Sequence, residues 1–205
     1  MAADNQSGAT MYEVMKGTVT AREAIQHTAA CDIIPANTIL AGIEQELHSV
    51  GKEMTLREKL RDEESGVADD YDYILIDTPP ALGLLNVMSL TASTKVIIPT
   101  ECSYLSMIGL NQLYELIGTV RKYSNKELQI AGVLLIKYSP RLKLNVEVAS
   151  GLEQMAARMD IKVFNSKIRE TVKIKEAQSQ QTPLLDWDSS NSAISDYISF
   201  VKELI

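Results

Sequence analysis

The amino-acid sequence predicts an α/β fold built as a doubly wound, mainly parallel sheet with helices on both faces. Three observations carry this prediction. Tyr73-Ile-Leu-Ile-Asp77, Lys95-Val-Ile-Ile-Pro99 and Ile130 to Ile136 are short, uninterrupted apolar runs, as strands buried on both faces are. Helical patterns separate these runs and provide the crossovers that parallel strands require. No internal repeat, low-complexity tract or Gly/Ser linker interrupts the 205 residues, so residues 1–205 read as a single domain. In such folds ligands sit at the carboxyl ends of the strands. That rule points to Asp77-Thr78-Pro79-Pro80, Pro99-Thr100-Glu101 and Lys137-Tyr138-Ser139.

In chain order, Cys31-Asp-Ile-Ile-Pro35 is a β-branched run closed by proline. Thr38 to Val50 places Ile39, Leu40, Ile43 and Leu47 at helical spacing. Glu53 to Asp72 holds eight acidic and three basic residues and predicts an exposed helix followed by a loop. Tyr73 to Asp77 is the cleanest buried strand, stopped by Thr78-Pro79-Pro80. Asn86 to Ala92 predicts a short helix and Lys95 to Pro99 the next buried strand. Met107 to Tyr123 is a long amphipathic helix with Leu110, Leu113, Tyr114, Ile117 and Val120 on one side. Ile130 to Ile136 is a third strand, Leu144 to Met159 a helix and Lys162-Val-Phe164 a short strand. Ser189 or Ser190 is expected to cap a final helix whose buried face is Ile194, Tyr197, Ile198, Val201 and Ile205.

Composition narrows the chemistry. The chain is 45% hydrophobic and 23% charged, with a formal net charge of −7, so a uniformly nucleic-acid-coating surface is not expected. The charge is uneven, however: Lys137 to Glu176 holds nine basic and five acidic residues. Cys31 and Cys102 have no CxxC spacing and read as small buried hydrophobes. His27 and His48 read as surface residues, and two histidines leave almost no material for Ser-His-Asp or Cys-His catalysis. No apolar run spans a bilayer, and the N-terminus is neither basic nor apolar, so a cytoplasmic location without membrane contact is expected.

The run Ile74-Leu-Ile-Asp77 delivers a carboxylate to the end of a strand. A hard divalent cation takes oxygen ligands in such a place, directly or through water; a plain turn cap is the alternative reading. The wider segment Asp72-Tyr-Ile-Leu-Ile-Asp-Thr-Pro-Pro-Ala-Leu-Gly83 closely resembles the Walker B region of ParA/MinD-type partition ATPases, of the ParA/Soj kind. The resemblance continues in order through Val96-Ile-Ile-Pro-Thr100, Gly109-Leu, Ile130-Ala-Gly-Val-Leu-Leu135, Ile168-Arg-Glu-Thr-Val-Lys-Ile-Lys-Glu-Ala177 and Thr182-Pro-Leu-Leu-Asp186. Upstream, Asp32-Ile-Ile-Pro-Ala-Asn37 and Leu40-Ala-Gly-Ile-Glu44 also look like that family. The resemblance implies a P-loop NTPase-like fold, ATP and Mg2+ as cofactors, an ATP-dependent homodimer, non-specific DNA and a ParB-like partner protein.

Residue roles follow from the same resemblance. Asp77 would hold Mg2+, through water. Asp4-Asn-Gln-Ser-Gly-Ala-Thr10 resembles the family's second motif, whose aspartate orients the attacking water, so Asp4 is the catalytic candidate. Lys137 and Pro183 would lie near the nucleotide. Arg141, Lys143, Lys173 and Lys175 would face DNA, with solvated surface cations as the alternative. The family's Lys-Gly-Gly-x-Gly-Lys-Ser/Thr loop, whose backbone N–H groups cradle phosphates, has no counterpart. Gly51-Lys52 has Glu46 where the first glycine is needed and is followed by Glu53. The chain is therefore expected to begin after the first strand, P-loop, helix and most of the next strand, a lack of roughly 40 residues, although Ala2 stands where the family has another aspartate. Tight ATP binding by this chain is not expected, and an exposed strand edge is. Two functions remain open: a DNA-partitioning ATPase, or a non-hydrolysing module of the same fold that binds DNA or a protein. A MinD-like membrane role is disfavoured because the closing helix has no basic amphipathic extension.

Overall fold

Described residues in the computed structural model are 8–48 and 50–205. Their contacts cluster into two compact units, Met1–Thr94 with Leu116–Leu128, and Lys95–Glu115 with Gln129–Ile205. Each is described by itself.

In the first unit, helix α1 (Met11–Lys16) starts on a capping box. The Thr10 hydroxyl accepts from the Tyr12 N–H at 3.3 Å, and the Glu13 carboxylate accepts from the Thr10 N–H at 2.9 Å. Strands β1 (Gln26–His27) and β2 (Asp32–Ile33) form a small antiparallel ladder. The stretch expected to be one helix from Thr38 is a 3-10 turn over Thr38–Gly42 running into α2 (Ile43–Glu46). Helix α3 (Thr55–Arg61) is charged but not a purely exposed helix, because Leu56 and Leu60 are buried. Helix α4 (Leu84–Ala92) follows. Val14, Ile43, Leu56, Leu60 and Met88 form the centre of this unit's core.

The second unit holds the parallel pair β3 (Lys95–Glu101) and β4 (Gln129–Ile136), paired from Lys95 opposite Gln129 to Glu101 opposite Ile136 with one register shift between Val96 and Ile97. On its other edge β4 receives Val163 through a parallel bridge at Val133, and beyond its end Tyr138 bridges Arg169, also parallel. The strand expected at Lys162–Phe164 is thus reduced to an isolated bridge. Helices α5 (Tyr104–Tyr123), α6 (Lys143–Arg158), α7 (Val172–Ser179), α8 (Leu184–Trp187) and α9 (Ser192–Leu204) complete the chain; the boundary between units falls within α5. Leu134, Phe164, Ile168 and Phe200 make a core in which the two phenylalanine rings meet edge to face at 5.0 Å. The arrangement is α/β, with a parallel sheet and covering helices.

Several expectations are corrected. Tyr73–Asp77 is not a buried strand: the described residues give it no ladder, and Tyr73 and Leu75 are 68% and 88% exposed. An apolar run is buried on both faces only if neighbours flank it on both sides. Asn191, not Ser189 or Ser190, caps α9, accepting from the Ala193 N–H at 3.0 Å. Its buried face is Ala193, Ile194 and Phe200, while Tyr197, Ile198, Val201 and Ile205 are exposed. Cys31 is exposed and Cys102 half-buried, so neither is a core residue. No helix among the described residues is long and apolar enough to cross a membrane.

Candidate functional site

Asp77 follows the exposed run in the first unit and is itself exposed. Its side chain makes no hydrogen bond or ion pair among the described residues. The loop beyond it is well anchored. Asn86, 5% exposed, donates its side-chain N–H groups to the carbonyls of Pro79 at 3.1 Å and Ala81 at 2.5 Å. Glu44 accepts from the Leu85 N–H at 3.1 Å, which places a carboxylate at the N-terminus of α4 where the helix dipole favours it. Gly83 makes room for this: a Cβ there would stand 2.7 Å from Glu44 Oε1. Glu44 and Asn86 are site-shaping residues that spacing alone did not reveal.

Asp77 fits a magnesium ion only as a single carboxylate. The described residues contain no cluster of three or more His, Cys, Asp or Glu side chains able to hold a metal. Magnesium is commonly bound by one or two carboxylates completed by water and substrate phosphates, so one aspartate agrees with that pattern. Asp4, the water-orienting candidate, lies outside the described residues.

In the second unit the carboxyl ends of β3 and β4 carry Glu101 and Lys137. Lys137 has φ 51°, a left-handed conformation uncommon for a side chain of this kind. Its ammonium forms an ion pair with Glu101, and that carboxylate holds the lysine above its ordinary pKa, with Glu170 adding a smaller attraction. Non-glycine residues in sparsely populated conformations cluster at functional sites, and this one sits where the fold places ligands. Pro183 caps α8, and its carbonyl accepts from the Asp186 and Trp187 N–H groups, both at 3.0 Å.

The basic candidates divide into two kinds. Ile168 N–H donates to Leu135 O at 2.8 Å and Tyr138 N–H to Ile168 O at 3.0 Å. The loops leading to Arg141 and to Lys173 therefore leave the same end of the sheet. Arg141 and Lys143 are exposed and have no carboxylate partner among the described residues. Lys143 opens α6, whose first turn holds no acidic residue and whose cap, Leu142, offers no side-chain acceptor. Cations there oppose the helix dipole but reinforce its attraction for an anion. Lys173 and Lys175, by contrast, are paired with Glu176 at 2.8 Å and Glu170 at 2.7 Å. Asp77 belongs to the other unit, and Lys137 is linked to Lys175 through Glu170.

Comparison with known proteins adds to this geometry. A family model described as an AAA domain matches residues 1–130. The sporulation initiation inhibitor protein Soj of Bacillus subtilis is 34% identical over 197 residues, covering 95% of this chain and 75% of that protein. The chromosome partitioning protein ParA of Caulobacter vibrioides is 33% identical over 204 residues, covering 98% of this chain and 74% of that one. Among solved structures, cobyrinic acid a,c-diamide synthase from Mycobacterium smegmatis, with bound ATP analog and magnesium, aligns at TM-score 0.70. It is 31% identical, over 80% of this chain and 63% of that one.

Proposed function

The chain belongs to the ParA/Soj group of ParA/MinD-type partition ATPases, and from that premise we propose that it serves DNA partitioning by holding non-specific DNA on a basic face of its second unit. Its relatives include chromosome partitioning proteins. The observation that carries the reading is the cationic entry to α6: Arg141 and Lys143 are exposed and unpaired with carboxylates beside an anion-attracting helix N-terminus. Phosphate contacts need cations and open N–H groups but no base-reading geometry. Lys173 and Lys175 extend the face. Its net charge of −7 argues for this local patch over a general coating.

In the same reading, Asp77 holds magnesium through water, Asp4 orients the attacking water, and Lys137 and Pro183 border the nucleotide. Bound ATP and magnesium supply phosphoryl transfer to water, a homodimer forms, and a ParB-like protein is the partner. The working location is the cytoplasm, on the nucleoid. These 205 residues contain no GxxxxGK(S/T) sequence, so on their own they are not expected to hold ATP tightly. That observation favours a second reading, a module of this fold that binds DNA or a protein without hydrolysis.

Binding of a fluorescent duplex without sequence preference, measured against salt, tests the DNA reading. The slope of log affinity against log salt is expected near −0.9 per phosphate neutralised. Arg141→Ala/Lys143→Ala should flatten that slope by up to about 2 and weaken binding equally for unrelated sequences. A slope unchanged by the double substitution would place DNA elsewhere.

A further inference from the structure

The lysines of the basic face are not equally available, and the carboxylates that hold them are few and specific. Glu170 follows directly on the bridge between Tyr138 and Arg169, beyond the end of β4. There it bonds Lys175 at 2.7 Å and also attracts Lys137. Lys137 is in turn paired with Glu101. Charges of alternating sign thus run from the strand ends to α7: Glu101, Lys137, Glu170, Lys175. One turn along α7, Glu176 bonds Lys173 at 2.8 Å and lies 3.4 Å from the Trp187 indole nitrogen. Arg169, the remaining cation of this stretch, is committed to Asp196 in a forked pair at 2.6 and 2.8 Å.

Resting on the DNA reading above, we propose that Glu170 and Glu176 latch the basic face, so that a phosphate backbone has to displace both carboxylates before Lys175 and Lys173 contact it. Arg141 and Lys143, without carboxylate partners among the described residues, make the first contacts. The latch is weak by construction, because exposed ion pairs contribute little and are screened by salt. It tunes affinity rather than forbidding binding. The lowered pKa values of Glu170, caused chiefly by Lys175, and of Glu176, caused chiefly by Lys173, agree with carboxylates that stay charged in their pairs.

The test compares the parent chain with Glu170→Gln/Glu176→Gln in duplex-DNA binding over a salt series. Glu63→Gln/Glu64→Gln, which alters two exposed carboxylates of the first unit, is the control with the same change in net charge. The latch variant is expected to bind about three- to tenfold more tightly than the control at low salt. Its salt slope should be steeper by up to about 2, for two more lysines released to phosphate. Equal affinity of latch and control variants, with the parent still binding DNA, overturns the latch and leaves the DNA reading standing. Absence of binding by parent and latch variant alike at low salt overturns both.

Discussion

At the scale of single residues, Glu203 shows how one carboxylate can fasten a helix. Burial alone would raise its pKa. The N–H groups of Asn165 at 2.9 Å and Ser166 at 3.0 Å, with Lys162 at 3.1 Å, outweigh burial and bring the carboxyl down to about 2. The charged form is thus bound more tightly in the folded chain than in the unfolded one. Because the folded pKa lies below the unfolded value near 4.5, its contribution is complete above about pH 4.5 and is lost as pH falls toward 2. A difference of that size corresponds to at most about 3 kcal/mol. Glu203→Gln should therefore lower Tm at pH 7, and the gap from the parent should shrink below about pH 4.5 and be nearly gone by about pH 2. A gap that stays constant across that range would mean that packing of α9, not the charge, fastens it.

At the scale of elements, β4 is the piece most sharply defined by its sequence and its packing. Gly132 has φ 153° and lies where a Cβ would stand 2.8 Å from both Lys162 O and Phe164 Cε2. Register shifts between Val96 and Ile97 opposite this point. Gly132→Ala combines backbone strain with overpacking against the carbonyl and ring, each worth about 1–3 kcal/mol. Urea unfolding should show a loss of about 2–5 kcal/mol, and a loss under about 0.5 kcal/mol would mean that the segment 162–164 shifts freely. The sequence reading placed β3, β4, α5 and α6 within a few residues, because long amphipathic stretches and apolar β-branched runs signal themselves locally. It read α9 correctly as a helix but turned its apolar stripe toward the core, whereas Tyr197 and Val201 face solvent; periodicity does not say which face finds a partner. It passed over α1 although Thr10 and Glu13 stand at capping-box spacing. Glu44 lies 41 residues from the Leu85 N–H it accepts, and Glu101 meets Lys137 only because β3 and β4 end together. Such pairings are made by tertiary placement and leave no local trace.

At the scale of the whole molecule, the question is whether these 205 residues, which contain no GxxxxGK(S/T) sequence, hold nucleotide. A triphosphate is held chiefly by backbone N–H groups and a lysine from such a loop. Asp77 offers one carboxylate, which repels phosphate until magnesium lies between them. Lys137 is engaged by Glu101 and Glu170. The predicted outcome is that labelled ATP with magnesium shows no saturation up to about 1 mM, a free energy weaker than about −4 kcal/mol. Trp187 is the only tryptophan and sits on α8, which Pro183 caps, so its emission gives an independent reading beside the candidate nucleotide residue Pro183. Unchanged emission and no saturation support the module that binds without hydrolysis. Saturation below about 10 µM, abolished by Asp77→Ala, would show that other groups of this chain cradle the phosphates and would restore the ATPase reading for these residues. Binding that survives Asp77→Ala but is lost with Lys137→Ala would assign the nucleotide to Lys137 and not to Asp77.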